Sequence, residues 1–108
     1  RKLIILKSQS KLKGEDAFIS YKNDNGRSIF HIRFHLADGI IYNFTNNKKN
    51  IILKTKLNNI WLFKSDSELN IEESILVDNN NTRPIKQIVI KGILVDNKTV
   101  RKWSLEKI

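Results

Sequence analysis

The chain has 108 residues, and its 20 lysine and arginine residues against 11 acidic residues give a net charge of +9 with both histidines neutral. A chain of this length forms one domain around a single core, so we expect a single domain over 1–108. It contains no cysteine, which excludes disulfide scaffolds, zinc–thiolate sites and a cysteine nucleophile, and no apolar run approaches the roughly 18 residues of a membrane-spanning helix.

Alternation of apolar and polar residues with a period of two runs through the sequence and predicts strands. The clearest predicted strand, 28–37, places His31, Arg33 and His35, together with Ile29, on the face opposite its other apolar residues. Such a strand packs one face against a core and leaves the other face in water. The predicted strands, in chain order, are 2–7, 12–21, 28–37, 40–45, 51–57, 60–63, 69–77, 85–95 and 100–107.

Turn residues separate the predicted strands. Asn-Gly at 25–26, Asp-Gly at 38–39 and Asp-Asn at 96–97 predict tight turns, and the most polar stretch, 78–82, predicts a surface loop. Gly92, within a long strand, predicts a bulge or bend. About nine strands at a spacing of roughly 8–12 residues, with little or no helix, are typical of an all-β fold. We therefore expect an antiparallel, jelly-roll-like β-sandwich.

The positive charge is spread along the whole chain. Fifteen of the 20 cations are lysine, and a balance of +9 favours polyanionic partners through long-range attraction. A nucleic-acid-binding protein instead clusters its cations and interleaves stacking aromatic residues. We therefore expect no nucleic-acid partner and interpret the charge as a solvated basic surface.

Residue types that carry out catalysis are few. The only histidines, His31 and His35, lie four positions apart on one predicted strand, so their Cα atoms are about 13 Å apart, which is too far to chelate one metal ion easily. The sequence therefore predicts no metal site and no cofactor. The acidic pairs at 15–16 and 72–73 each split across the two faces of a strand, so neither predicts a general acid–base pair. We expect no catalytic residue in this chain.

Glu73 is the one carboxylate predicted to face the interior. It shares a predicted face with Ile71 and Ile75, and a buried carboxylate needs a cation or a hydrogen-bond donor. Arg33 and Arg83 are its predicted partners in a structural ion pair.

The aromatic residues allow two interpretations. Trp61 and Trp103 lie within apolar strands, and we interpret them as core anchors, because burying an indole removes roughly 150–250 Å² from water. The alternative is sugar stacking, which requires an exposed ring face. The solvent accessibility of Trp61, Trp103 and Tyr42 separates the two.

Two segments of the chain are specific, namely Ile-Arg-Phe-His-Leu at 32–36 and Gln-Ile-Val at 87–89. Five further segments occur before, between and after these two, in the order 12–16, 61–63, 69–74, 83–84 and 100–105. Over about 12–108, the order and spacing of these segments resemble the carboxyl-terminal part of heparinase II/III-like proteins. Relatives often place a second histidine and a proline after the leucine at the end of the first segment, where this chain has Ala37 and Asp38.

The resemblance implies a polysaccharide lyase that cleaves uronate-containing glycans by β-elimination. In that family a helical toroid precedes an antiparallel β-sandwich, and a tyrosine or histidine base removes the C5 proton while the uronate carboxylate is neutralised. The chain has neither an initiator methionine nor a signal-peptide pattern, so we expect a C-terminal fragment of a larger parent protein that holds the catalytic groups. The resemblance points to the periplasm for that parent, although the sequence itself leaves the localisation open.

The expected partners are an acidic polysaccharide, bound through the parent protein, and the helical toroid of that parent. His31, Arg33 and His35 form the only cluster on a solvated strand face, so they are the candidate substrate-facing residues. The alternatives are a stand-alone carbohydrate-binding module, a nucleic-acid-binding β-barrel and an assembly module that self-associates through free sheet edges.

Overall fold

The computed structural model describes residues 1–19, 28–45, 47–94 and 98–108. These residues form nine strands and a single 3₁₀ turn at Lys7–Gln9. The strands are β1 (Lys2–Leu6), β2 (Lys11–Ile19), β3 (Ser28–His35), β4 (Ile41–Phe44), β5 (Asn50–Lys54), β6 (Ile60–Ser65), β7 (Leu69–Asp78), β8 (Asn81–Leu94) and β9 (Lys98–Lys107). The turns predicted at 25–26 and 96–97 lie outside the described residues.

The strands form two sheets. Sheet A has six strands in the order β1-β2-β9-β6-β5-β4, and sheet B has three strands in the order β3-β8-β7. All pairings in the described part of the chain are antiparallel. The prediction of an all-β antiparallel sandwich of nine strands is therefore confirmed. None of the described residues belongs to an apolar helix of the length that crossing a bilayer requires.

The core lies between the two sheets and follows the alternation of the strands. On β3, Phe30 and Ile32 point inward and are buried. The three polar residues between and after them, His31, Arg33 and His35, are exposed. The predicted division of this strand into a packed face and a solvated face is confirmed.

Aromatic side chains join the two sheets. Phe34 of β3 lies edge-on to Phe63 of β6 and to Trp103 of β9, with ring centroids 5.0 and 4.7 Å away. Phe18 of β2 stacks on Phe30 of β3 with centroids 4.3 Å apart. Such pairs contribute about 0.5–1.5 kcal/mol each beyond their burial. They hold β3 above β2 and β9, which fixes how the two sheets overlap.

Two local predictions are wrong. Gly92 forms no bulge, because β8 pairs with β3 without interruption through this position. The glycine is needed for close packing, since a Cβ at Gly92 would overlap the ring of Phe30. The loop predicted at 78–82 is a two-residue turn, in which Asn79 and Asn80 have φ values of 45° and 67°. Asparagine tolerates positive φ, so β7 can turn directly into β8.

Candidate functional site

The predicted substrate-facing residues lie on the outer face of sheet B. We define the sheet-B face by His31, Arg33, His35, Glu72, Gln87 and Lys91. The register of β3 with β8 places His31 opposite Lys91 and His35 opposite Gln87. The register of β7 with β8 places Glu72 opposite Gln87 from the other side. Side chains at paired positions point to the same face, so the three strands bring these polar groups together.

A network of hydrogen bonds and ion pairs joins the three strands of the sheet-B face. Arg33 donates from Nη1 to Glu72 Oε2 at 2.9 Å and to Gln87 Oε1 at 3.3 Å. The Lys91 ammonium lies 3.2 Å from Glu72 Oε1. The contact with Lys91, followed by that with Arg33, holds the pKa of the Glu72 carboxyl below its usual value. Both cations are therefore paired with a carboxylate of the protein, which they share.

Glu73 does not have the role predicted for it. Its side chain is exposed, as are the apolar side chains that follow it on the inner face of β7, so this half of the strand lies beyond the core. Arg33 pairs with Glu72 and Arg83 pairs with Asp38. The reason is geometric: Arg33 lies on the outer face of sheet B, so its partner on β7 must be the outward-pointing carboxylate.

A second surface, which the sequence did not reveal, lies on the outer face of sheet A. It is a groove with a volume of about 510 Å³. The cations that line it are Lys2, Lys11, Lys13, Lys64 and Lys102. The carboxylates in its lining are those of Glu15 and Asp66. We name this surface the lysine groove.

Four adjacent strands supply these lysines through their register. Ser104 of β9 pairs with Lys13 of β2 on one side and with Lys64 of β6 on the other. The two lysines therefore flank one point of the groove from strands that are about 10 Å apart. Glu15 of β2 lies opposite Lys2 of β1 in the same way. A signal for this surface exists in the sequence, because lysines at alternate positions of β2 must share one face.

Most of the lysines in the groove make no ion pair with a described residue. Among the described residues, Lys11 is the only one of the five with a carboxylate within 4.0 Å, that of Glu106 at 3.7 Å. The Asp66 carboxylate accepts hydrogen bonds from the backbone amide of Lys102 at 3.0 Å and from the hydroxyl of Ser67 at 3.1 Å. Neither donor is a lysine ammonium group. Four ammonium groups thus have no carboxylate of a described residue within 4.0 Å, and the groove lining carries five lysines against two carboxylates.

The floor of the lysine groove is fixed from inside the sandwich. Trp103 packs against Gly14, where a Cβ would overlap the indole. The indole Nε1 donates to Asp16 Oδ2 at 3.0 Å, and Arg1 donates from Nε to Asp16 Oδ1 at 2.7 Å. Burial, which leaves Asp16 8% exposed, would by itself raise the pKa of its carboxyl, but these hydrogen bonds outweigh it and lower that pKa. Asp16 therefore carries a stable negative charge that orients both partners.

Neither surface assembles a catalytic set. The lining of the lysine groove includes no histidine or tyrosine that could act as a base. Within the ranges that the structure describes, no group of three or more histidine, aspartate or glutamate side chains is placed to hold a metal ion. Trp103 is 7% exposed and packs in the core, so it offers no ring face to a sugar. Tyr42 is half-buried, with the Lys86 ammonium 5.0 Å from its ring centre. The arrangement is suited to binding anions.

Comparison with known proteins connects this sandwich to a family. The sequence model of the family described as "Heparinase II/III-like, C-terminal" matches residues 1–104, which include β1 to β8 and most of β9. No curated protein and no solved structure matches the chain. The resemblance inferred from the sequence segments is thereby confirmed. The chain belongs to the heparinase II/III-like C-terminal domain family.

Proposed function

We propose that this chain is a non-catalytic β-sandwich domain of a polysaccharide lyase, and that it contributes a binding surface for an acidic glycan. The observation that carries the proposal is the lysine groove, in which four ammonium groups lack a carboxylate within 4.0 Å among the described residues. Its partners are then a uronate-containing glycan and the helical toroid domain of the parent protein.

An extended anion fits the lysine groove better than a small one. The lysines stand on four adjacent strands, so their charges are spread over about 14 Å across the sheet. A single carboxylate or phosphate group reaches only one or two of these ammonium groups. A polymer of uronates carries many carboxylates on one chain, so several weak contacts form together and raise the total affinity.

The cations of the groove are all lysines, which favours a flexible polymer that can bind in more than one position. Lysine ammonium groups are point charges on flexible stems, whereas bidentate recognition of one carboxylate requires arginine. The net charge of +9 adds long-range attraction, which brings a polyanion to the surface before any contact forms. Binding of this kind weakens as salt screens the charges.

The proton-transfer step is assigned to other parts of the parent protein. Elimination at C5 of a uronate requires a base within hydrogen-bonding reach of the C5 proton and a group that neutralises the carboxylate. The groove lysines can help to neutralise carboxylates, but the groove lining has no histidine or tyrosine. We therefore expect the chain to produce no unsaturated uronate ends when it is incubated with a uronate polymer.

His31, Arg33 and His35 are a second candidate for contact with substrate. This surface is less suited to anions, because Arg33 already binds Glu72 and Gln87. We assign the Arg33 network a structural role, since it ties all three strands of sheet B together. Weak contacts of the two histidines with a bound glycan are compatible with this role.

Calorimetric titration with an oligosaccharide of six uronate units tests the proposal. We expect the double variant Lys13→Gln, Lys102→Gln to bind about tenfold more weakly, because each exposed ion pair contributes roughly 0.2–1 kcal/mol. The matched control is Lys54→Gln, Lys107→Gln, which removes the same charge at exposed positions outside the groove lining.

The control should stay within about twofold of the wild type, because distant surface charges are screened at physiological salt. An equal loss of affinity in both double variants would contradict the proposal, since net charge alone would then explain binding. Release of unsaturated uronate ends by the isolated chain would contradict the non-catalytic role.

A further inference from the structure

β1 exposes apolar side chains on the side that faces the core. Its register with β2 places Leu3 opposite Gly14 and Ile5 opposite Leu12, and Leu12 packs against the hydrophobic core. Leu3 and Ile5 therefore point to the inner side of sheet A, yet they are 55% and 68% exposed. Apolar side chains on the inner side of a sandwich sheet are ordinarily covered by the opposite sheet.

This exposure follows from the unequal widths of the two sheets. Sheet B has three strands against six, and β3 is one of its two edge strands. β3 contacts β2 through the stacked pair Phe30 and Phe18, and it contacts β9 through Phe34 and Trp103. One more strand, about 4.8 Å beyond β3 and about 10 Å from sheet A, would lie above β1.

The backbone of β3 is open toward this space. The amide of Leu36 donates to the carbonyl of Lys86 at 2.9 Å. Successive amides of an antiparallel strand point alternately toward the partner strand and away from it. Because the Leu36 amide points toward β8, the amides of Arg33 and His35 point away from β8. In the described part of the chain, no strand pairs with β3 on that side.

We propose that the free edge of β3 and the inner face of β1 form an acceptor groove for one extended polypeptide strand. The strand would hydrogen-bond to β3 through its backbone and place apolar side chains at every second position against Leu3 and Ile5. It would complete sheet B on this side. This inference does not depend on glycan binding in the lysine groove.

Charge indicates the chemistry of the partner strand. Lys7, directly after β1, is exposed, so an acidic residue beside the apolar positions of the strand would complement it. A second copy of this chain is a poor occupant, because each copy carries +9. Pairing of two five-residue β1 strands would also bury far less than the roughly 1,200 Å² of a stable interface. The fitting partner is an extended polypeptide segment that is apolar at alternate positions and acidic at the end that meets Lys7; glutamate at both ends of a test peptide allows for either strand direction.

A designed peptide of nine residues tests this inference, with valine at alternate positions, threonine between them and glutamate at both ends. Fluorescence anisotropy of the labelled peptide measures binding to the full chain, and amide hydrogen exchange locates it. We expect saturable binding together with slower exchange of the Arg33 and His35 amides. The double variant Leu3→Ser, Ile5→Ser should bind about tenfold more weakly, because apolar contact area is lost.

Ile4→Ser is the matched control, because Ile4 is 55% exposed on the same strand but points to the opposite face. It should stay within about twofold of the wild type, since the peptide does not contact that face. No saturable binding up to about 1 mM peptide would overturn the inference. Equal losses for Ile4→Ser would overturn it as well, and so would concentration-dependent dimerisation that Leu3→Ser, Ile5→Ser abolishes, because a second copy would then be the occupant.

Discussion

The two outer faces of the sandwich carry similar cations in different surroundings. On the sheet-B face, one carboxylate, that of Glu72, lies 2.9 Å from Arg33 and 3.2 Å from Lys91. In the lysine groove, four of five ammonium groups have no carboxylate within 4.0 Å among the described residues. The number of cations on a face therefore differs from the number that make no ion pair. We expect anion binding to depend on the second number.

The largest effect is expected from Gly14→Ala, which acts on the floor of the lysine groove. The new Cβ would overlap the indole of Trp103, which the hydrogen bond to Asp16 holds in place. We expect the free energy of unfolding to fall by about 1–3 kcal/mol, because overpacking forces β2 and the indole apart. Urea denaturation measures this loss, and the uronate affinity should fall with it.

Ala17→Ser is the control for this change, because Ala17 is exposed on the same strand. Its unfolding free energy should stay within about 0.5 kcal/mol of the wild type. Wild-type stability of Gly14→Ala would mean that the indole does not support the groove as described.

An intermediate effect is expected at Asp16, which makes the stability of the groove floor depend on pH. Hydrogen bonds from Arg1 and Trp103 outweigh burial and lower the pKa of Asp16 in the folded state. The stabilisation is therefore fully present above the unfolded-state pKa, about 3.9, and is lost as the pH falls through the lower folded-state pKa. We expect Asp16→Asn to reduce the free energy of unfolding by about 1–2 kcal/mol at neutral pH, because the asparagine oxygen can still accept one of the two hydrogen bonds.

Urea denaturation of the wild type and of Asp16→Asn over a series of pH values measures this dependence. The difference between the two proteins should shrink as the pH falls below about 4, because the carboxyl of the unfolded state is protonated first, and it should be smallest below the lowered folded-state pKa, where the folded carboxyl is neutral as well. A difference that stays constant down to the acid limit would show that the charge of Asp16 contributes nothing.

The smallest effect is expected from Glu72→Gln, which changes the sheet-B face alone. Arg33 and Lys91 then lose their common counter-charge, so this face should gain affinity for uronate oligosaccharides by about two- to fivefold. Calorimetry measures the gain. Glu73→Gln is the matched control, because this neighbouring carboxylate is exposed and makes no ion pair with a described residue. Equal gains in both variants would attribute the change to net charge rather than to the released cations.

Much of the fold could be predicted because it depends on alternation within single strands. The positions of Phe30 and Ile32 inside and of His31 outside follow from β3 alone, without knowledge of its neighbours. The turn at Asn79 and Asn80 was harder to predict. Five polar residues in a row are equally compatible with a loop and with two strand ends joined by a tight turn.

The lysine groove could not be predicted in the same way, because its lysines come from four strands. Lys13 and Lys64 are 51 positions apart in the sequence and meet only because Ser104 pairs with both. The partner of Arg33 was also predicted wrongly, as Glu73 instead of Glu72, because this ion pair joins two different strands. Alternation predicted Arg33 outside and Glu73 inside, so only the outward neighbour could reach it.

The central claim is that a uronate oligosaccharide binds in the lysine groove rather than on the sheet-B face. The most direct test is a titration that detects binding at both outer faces in one experiment. Amide chemical shifts of the chain are followed by NMR as an oligosaccharide of six uronate units is added. The account predicts that the shifts concentrate on Lys13, Lys64, Lys102 and their neighbours in the lysine groove, and that they diminish with added salt. Shifts concentrated on His31, Arg33 and His35, with the lysine groove unchanged, would contradict it.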